Sequence, residues 1–294
     1  MEKEQEEALM DSMTVLLLFS TLRVSLPLLF AVVGGYFSEK SGVAQIALEA
    51  YLLIGAFTAA SVTYATKSLA LGYLSAAIIT ALFSQIFSFL VLKLKGNSIV
   101  IGTGLNLLAM GLIPIVSKTI FNSTGSTPSI ELTESTPYFP YIILILTLIF
   151  SYWLSEKTIW GLQMKFAGEK KLALESVGIS PAWRQWQSLT LSAFITGLGG
   201  AVLSTALSSN YSPLMSSGRG FIALAALIFA GWNLPRALVV CLFFGLCEAL
   251  QIQLQSNSAI STYIAAEFIQ MIPYAATLVA LLILRSKLPP AELR

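Results

Sequence analysis

The chain has 294 residues, 56% of them hydrophobic and only 11% charged, with a formal net charge of +2 and a mean hydropathy of +0.78. Soluble domains carry roughly 25% charged residues, so this composition excludes a water-covered globule and makes lipid the solvent for much of the surface; the small net charge gives no reason to expect nucleic acid as a partner. Histidine is absent and Asp11 is the sole aspartate, which removes His-containing triads, HExxH metal sites and the usual acid–base residue near neutral pH.

The N-terminal stretch is acidic where a cleavable signal peptide would be basic, so none is expected. Apolar runs of about 20 residues, enough to cross ~30 Å of hydrocarbon, recur from there on. They predict spans near 13–35, 43–65, 69–92, 98–118, 138–155, 187–208, 219–234, 237–255 and 263–284. In the first run, Gly34, Gly35 and the polar stretch Phe37–Gly42 predict a break. It is either a surface loop or a discontinuity inside the membrane, the latter tolerated only where protein or water surrounds it. The span at 187–208 carries small residues at interval four (Ala193, Gly197, Ala201, with Gly200 and Ser204 beside them). That spacing lets helices approach closely, either within the fold or across a dimer seam. Cys241 and Cys247 lie on different faces of one apolar run, so neither a disulfide nor a metal site is expected.

Basic residues orient the spans. Lys157, Lys165, Lys170, Lys171 and Arg184 place 156–187 in the cytoplasm, whereas 119–140, with Glu131 and Glu134 and no basic residue, is external. Lys93, Lys95, Arg236 and the tail with Arg285, Lys287 and Arg294 then also fall inside, and the N-terminus outside. Trp153, Trp160, Trp183, Trp186 and Trp232 all fall near cytoplasmic ends, as headgroup anchors do.

Glu39, Glu49, Glu248 and Glu267 lie in or beside apolar runs. A charge at the bilayer centre costs roughly 2.5–3.5 kcal/mol on insertion scales, so each is expected to face a cavity or a partner. Two readings stand side by side. Either the carboxylates line a solute path, or they pair with Arg23, Arg219 or backbone amides. Gln45, Asn97 and Asn106 are uncharged hydrogen-bonding candidates for the same path, so the candidate translocation residues are Glu39, Gln45, Glu49, Asn97, Asn106 and Glu248. The sequence contains no GxxxxGK(S/T) phosphate loop, so ATP-driven work would need an ATPase on another chain.

The cytoplasmic stretch 160–184 carries the most information. Gly168–Ile179 predicts a short helix, with Gly178 in the left-handed position past its end, then Ser180 capping a new helix that opens on Pro181. Its apolar side (Leu172, Ala173, Val177) with charged flanks suits docking into another protein's groove or lying on lipid headgroups.

Here the pattern Gly168-Glu169-x(3)-Ala173-x(4)-Gly178-Ile179 resembles the coupling-helix signature of ABC importer permeases. Phe37-Ser38-Glu39-Lys40-Ser41-Gly42-Val43 through Glu49 is similar to the "FSER-SGV-x-NIGLEG" segment of one branch, and Asn97–Leu107 to its "NQIVxGxxxNLL" segment. The best match is Gly218-Arg219-Gly220-Phe221 through Asn233. These pieces follow the family's order over about residues 20–255. The branch is the branched-chain amino-acid/ribose-type superfamily, in its nucleoside or simple-sugar subgroup that pairs with basic-membrane-protein-type lipoproteins. Gln45 stands where the family usually has Asn, and Ala47 and Ala50 where it usually has Gly, departures that bear on substrate preference and packing rather than on the coupling segment.

The resemblance implies an all-α polytopic bundle of about 8–10 spans, type II ABC importer-like, forming a single permease domain over 1–294 with a coupling helix at about 168–180. It implies no catalytic residue and no cofactor on this chain, with Gly168, Glu169, Ala173, Val177, Gly178 and Ile179 contacting ABC ATPase subunits. The other partners implied are a second permease subunit, identical or similar, and an extracytoplasmic solute-binding protein docking on 119–137 and 209–217. The place implied is the cytoplasmic (inner) membrane of a bacterium. Two alternatives remain: an ion-coupled secondary transporter using the intramembrane glutamates, and an intramembrane enzyme.

Overall fold

The computed structural model describes residues 2–123, 125–130, 138–256, 268, 269, 271, 275 and 290–293. The predicted span at 263–284 lies almost wholly outside the described residues, as do Glu131, Glu134, Glu267, Arg285, Lys287 and Arg294. Helices α1 (Glu2–Lys40), α2 (Leu48–Thr66), α3 (Leu69–Ser88), α4 (Ser98–Phe121) and α5 (Phe139–Lys157) are followed by short α6 (Ile159–Glu169) and α7 (Lys171–Ser176). Then come α8 (Pro181–Val202), α9 (Arg219–Phe229) and α10 (Leu234–Ser256). A π turn extends α3 over Phe89–Lys93 and another extends α8 over Leu203–Leu207. Among the described residues there is no strand, and seven helices are long and apolar enough to cross a membrane: those running over Thr14–Lys40, Leu48–Thr66, Leu69–Lys93, Ser98–Phe121, Phe139–Lys157, Pro181–Leu207 and Leu234–Gln255.

The spans divide into two classes. Those of α1, α2 and α8 have 56%, 78% and 72% of their most apolar window buried in protein, against 33%, 28%, 28% and 33% for α3, α4, α5 and α10. The first three form a central trio, and the others turn Leu, Ile and Phe side chains outward to lipid. The small-residue series on α8 explains the trio. A Cβ on Gly200 would lie 2.3 Å from the Leu52 carbonyl oxygen, and one on Gly55 would lie 2.4 Å from the Gly197 carbonyl oxygen. The spacing therefore serves packing within the fold, where backbone rather than side chain forms the contact.

Two local expectations change. Helix α1 runs unbroken through Gly34 and Gly35 to Lys40. The glycines mark close approach: a Cβ on Gly34 would lie 2.2 Å from Thr196 Oγ1. The actual break is the turn at 41–47. Second, the predicted span at 219–234 is the 11-residue α9, about 16 Å long at 1.5 Å per residue and so only half a membrane deep. It is terminated by Gly231 and Trp232, both at positive φ (61° and 54°), and its apolar composition made it look like a span although its length is not one.

The cytoplasmic face is consistent with the basic residues. Lys40 at the end of α1 pairs with Glu169 at the end of α6 (2.9 Å). At the other end, Arg23 Nη2 donates to the Ala206 carbonyl (2.8 Å), inside the π turn that ends α8. Helix α1 thus runs antiparallel to α8, from the π turn that ends α8 to the face that carries Lys40 and Glu169.

Candidate functional site

The site is assembled around the turn at 41–47, where the chain leaves α1 and re-enters the bundle as α2. Local polar groups shape the turn: Ser38 Oγ donates to the Val43 carbonyl (2.8 Å) and Ser41 Oγ to the Ser38 carbonyl (2.7 Å). The N-cap residue of α2, Ala47, has no side chain able to satisfy the first amides. Asn106 supplies the missing cap from α4. Its Oδ1 accepts from Ala50 N (2.9 Å) while its Nδ2 donates to the Ile46 carbonyl (3.0 Å), so one amide closes both sides of the break.

The half helix α9 is capped in the same borrowed manner. Its N-cap, Gly218, offers no side chain, and the carboxylate of Glu49 takes that role. Oε1 accepts from Ser216 Oγ (2.5 Å) and Gly218 N (2.8 Å), and Oε2 accepts from Gly220 N (2.8 Å). An anion at the positive end of a helix dipole is stabilising, the more so where water is excluded. The approach demands glycine: a Cβ on Gly220 would lie 2.5 Å from the Glu49 amide nitrogen.

Glu39 holds the opposite end of α9. Its Oε1 accepts from Gln45 N (2.8 Å) and its Oε2 from Trp232 Nε1 (3.1 Å). Glu39, Gln45, Glu49 and Asn106 are 3%, 0%, 3% and 4% exposed, so they form one buried polar cluster at the break; Gln45 Nε2 also donates to Ser192 Oγ on α8 (3.4 Å). Glu248 on α10 is joined to it through α9, by an ion pair with Arg219, whose Nη1 also donates to the Met215 carbonyl (3.1 Å). Asn97 stands apart. It is exposed at the start of α4 and caps that helix by accepting from Ile99 N (2.9 Å) and Val100 N (3.2 Å).

The sequence reading missed Trp232, Ser216, Ser192 and Gln185. Trp232 was grouped with headgroup anchors, a role that suits half-exposed Trp153 and Trp183, but Trp232 is buried and turned inward by its left-handed backbone. The glycines flanking Arg219 were the available signal for a backbone contact. The segment 209–217, expected as an external docking loop, is partly internal. Tyr211 and Ser216 are buried, whereas Pro213 and Leu214 remain exposed. The outer residues 125–130 lie on it, with Ile130 N donating to the Ser209 carbonyl (2.7 Å).

On the cytoplasmic side, Gly168 and Glu169 complete α6 rather than opening the next helix, because Lys170 leaves helical geometry (φ −149°, ψ 70°). Gly168 is packed against α1: a Cβ there would lie 2.4 Å from the Lys40 carbonyl oxygen. The six-residue α7 then presents Leu172 (80% exposed), Ala173 and Val177 (67% exposed) outward, while Leu174 is buried. Gly178 adopts φ +75°, and Ile179 N donates to the Leu174 carbonyl (2.9 Å), closing the helix as expected. Ser180 caps α8 through Trp183 N (3.4 Å), and Gln185 Nε2, one turn on, donates to the Ser41 carbonyl at the break (2.9 Å).

An apolar groove of about 340 Å³ opens between α2, α3 and α4, with Phe57 and Phe83 on its walls and Thr58 and Ser61 as its polar groups. Among the described residues no three His, Cys, Asp or Glu side chains gather as a metal would need.

This arrangement of broken helices and an exposed cytoplasmic helix has close parallels in sequence. The family described as branched-chain amino acid transport system / permease component matches residues 17–284. The nucleoside ABC transporter permease protein NupC of Lactococcus lactis subsp. cremoris is 30% identical over 299 residues, covering 90% of each chain. The guanosine ABC transporter permease protein NupQ of Bacillus subtilis is 30% identical over 286 residues, covering 89% of each. No solved structure matches. The chain belongs to the branched-chain amino acid transport system permease family, as a multi-pass permease subunit of an ABC importer in the cytoplasmic membrane.

Proposed function

We propose that this permease admits a nucleoside in preference to a simple sugar, and that ATP is hydrolysed on separate ATPase subunits that dock on α7. The observation carrying the docking half is the exposed apolar face of α7. Leu172 on the six-residue helix and Val177 at its C-cap project from a segment that is pinned by α6 and α8 on either side, which is the form of an anchor for a groove on another protein. Support for the solute comes from the two relatives, whose names state nucleoside and guanosine transport. Glu39 and Glu49 each take two or three hydrogen bonds from N–H or O–H donors, an arrangement that favours a fixed carboxylate over a proton carrier. The secondary-transporter reading therefore receives no support from their geometry.

Alternating access needs two membrane halves, so a second permease subunit completes the path, with a solute-binding protein delivering from outside. Gly168 and Glu169 seat the docking helix against α1, and Ala173, Val177, Gly178 and Ile179 shape its contact face and its end. The test is uptake of labelled guanosine into cells expressing the whole transporter. Competition by unlabelled nucleosides, with glucose and ribose without effect at the same concentration, is the expected result. Competition by sugars alone would overturn the nucleoside assignment.

A further inference from the structure

We infer that Glu39 is the positioning residue that passes movement of the docking segment to the half helix α9. The inference rests on the import reading above and concerns how that import is driven.

Three contacts tie the docking segment to the turn at 41–47. The Gly168 Cα lies against the Lys40 carbonyl and the Gly42 amide, so closely that a Cβ would be 2.4 Å and 2.9 Å from them. Lys40 Nζ pairs with Glu169 Oε1 at 2.9 Å. Gln185, just after the docking segment, donates to the Ser41 carbonyl at 2.9 Å. Backbone packed on backbone has no slack, so a displacement of the 168–185 region displaces the turn as well.

Two carboxylates join this region to α9, Glu39 at the end of α1 and Glu49 on α2, and Glu39 alone is bonded to the turn itself. The two oxygens of Glu39 are divided between Gln45 N, inside the turn, and Trp232 Nε1, just past the C-terminal end of α9. The carboxylate is buried, and the indole is only 8% exposed and aimed inward by two successive residues at positive φ, Gly231 and Trp232. Glu49, which opens α2 after the same turn, grips the other end of α9 through Gly218 and Gly220. Helix α9 is thus held at both ends by the segment that the docking region moves. Coupling of this kind requires an element with two arrangements that both sites bias; α9, half a membrane long and attached at its ends by hydrogen bonds, is the element this inference assigns to that part.

The experiment uses the whole transporter reconstituted in lipid, with its ATPase, second permease and solute-binding partners, with this chain as wild type, Trp232→Phe and Glu39→Gln. Trp232→Phe removes one N–H and keeps most of the ring. Glu39→Gln keeps the size but replaces one acceptor oxygen with a donor. ATP hydrolysis and solute uptake are measured together, and a fluorescent probe on Ile228→Cys, partly exposed near the end of α9 that Glu39 holds, reports the ATP-dependent change there. Both native cysteines, Cys241 and Cys247, are replaced by Ala in the probed chains.

The expected result is ATP hydrolysis within about twofold of wild type, uptake reduced at least tenfold, and loss of the ATP-dependent probe signal. Uptake falling only in proportion to ATP hydrolysis, or a probe signal retained in both variants, overturns the inference. If the wild-type chain stimulates no ATPase at all, the import reading itself fails, a result distinct from either of these. Should Trp232→Phe fail to assemble, Glu39→Gln alone decides.

Discussion

The break at 41–47 and the short exposed helix α7 are opposite solutions placed on the same chain. At the break, polar side chains are buried and nearly every one is spoken for: Glu39, Glu49 and Asn106 cap or bridge backbone that has left helical geometry. At α7, apolar side chains are exposed, and Leu172 and Val177 touch little of this molecule. The lesson is that burial decides the role. A polar group inside the membrane is held by the fold when its hydrogen bonds are already made within the chain, because leaving them unmade in hydrocarbon is expensive. An apolar group left in water on a rigid short helix points instead to a partner.

Substitutions at the break should therefore cost stability, and those at α7 should cost assembly. The largest effect belongs to Gly220→Val, whose Cβ would collide with the Glu49 backbone; detergent-solubilised protein should fail to give a monodisperse peak on size exclusion. Next is Glu49→Ala, which leaves Ser216 Oγ and the Gly218 and Gly220 amides without their acceptor. At about 1–3 kcal/mol for each unsatisfied buried group, partly relieved by relaxation, a loss of roughly 2–4 kcal/mol is expected, read as a lowered thermal midpoint. Asn106→Ala removes a cap and one bridging bond, for about 1–2 kcal/mol. Asn97→Ala, an exposed cap at the membrane edge, should cost only about 0.5–1 kcal/mol. If Asn97→Ala proved as costly as Glu49→Ala, the contrast between buried and exposed caps would not hold.

Much of this was legible in the sequence, and the failures have specific causes. Hydropathy runs located each of the seven long helices among the described residues, because lipid imposes a length rule on every span alike. The same runs misjudged α9, since Phe221–Ala230 is apolar enough for a span and only the glycines and Trp232 reveal where it stops. Gly34 and Gly35 beside the polar stretch Phe37–Gly42 predict a break, yet in the packed membrane helix the two glycines are contact surfaces against Thr196 and Leu227. Arg219 is among the partners the sequence offers its membrane carboxylates, but no local pattern assigns it to Glu248, with which it pairs. Glu39 and Glu49 stand out in the sequence, but apart from the nearby Gln45 amide their partners lie at 216–232, far away in sequence, and no local pattern names them. The end of α7 at Gly178 and the Ser180–Pro181 start of α8 were readable because capping is local chemistry. The split between α6 and α7 at Lys170 was not, as nothing in Gly168–Lys171 forbids a continuous helix.

The most direct test of the docking claim is co-purification of the ATPase subunit with this chain in mild detergent, comparing wild type with Leu172→Asp plus Val177→Asp. Both positions are exposed, so the double variant should fold with a thermal midpoint close to wild type. The account predicts that wild type retains an ATP-binding subunit and that the folded double variant loses it together with ATP-driven uptake. Retention of the ATPase and of uptake by the double variant would contradict it.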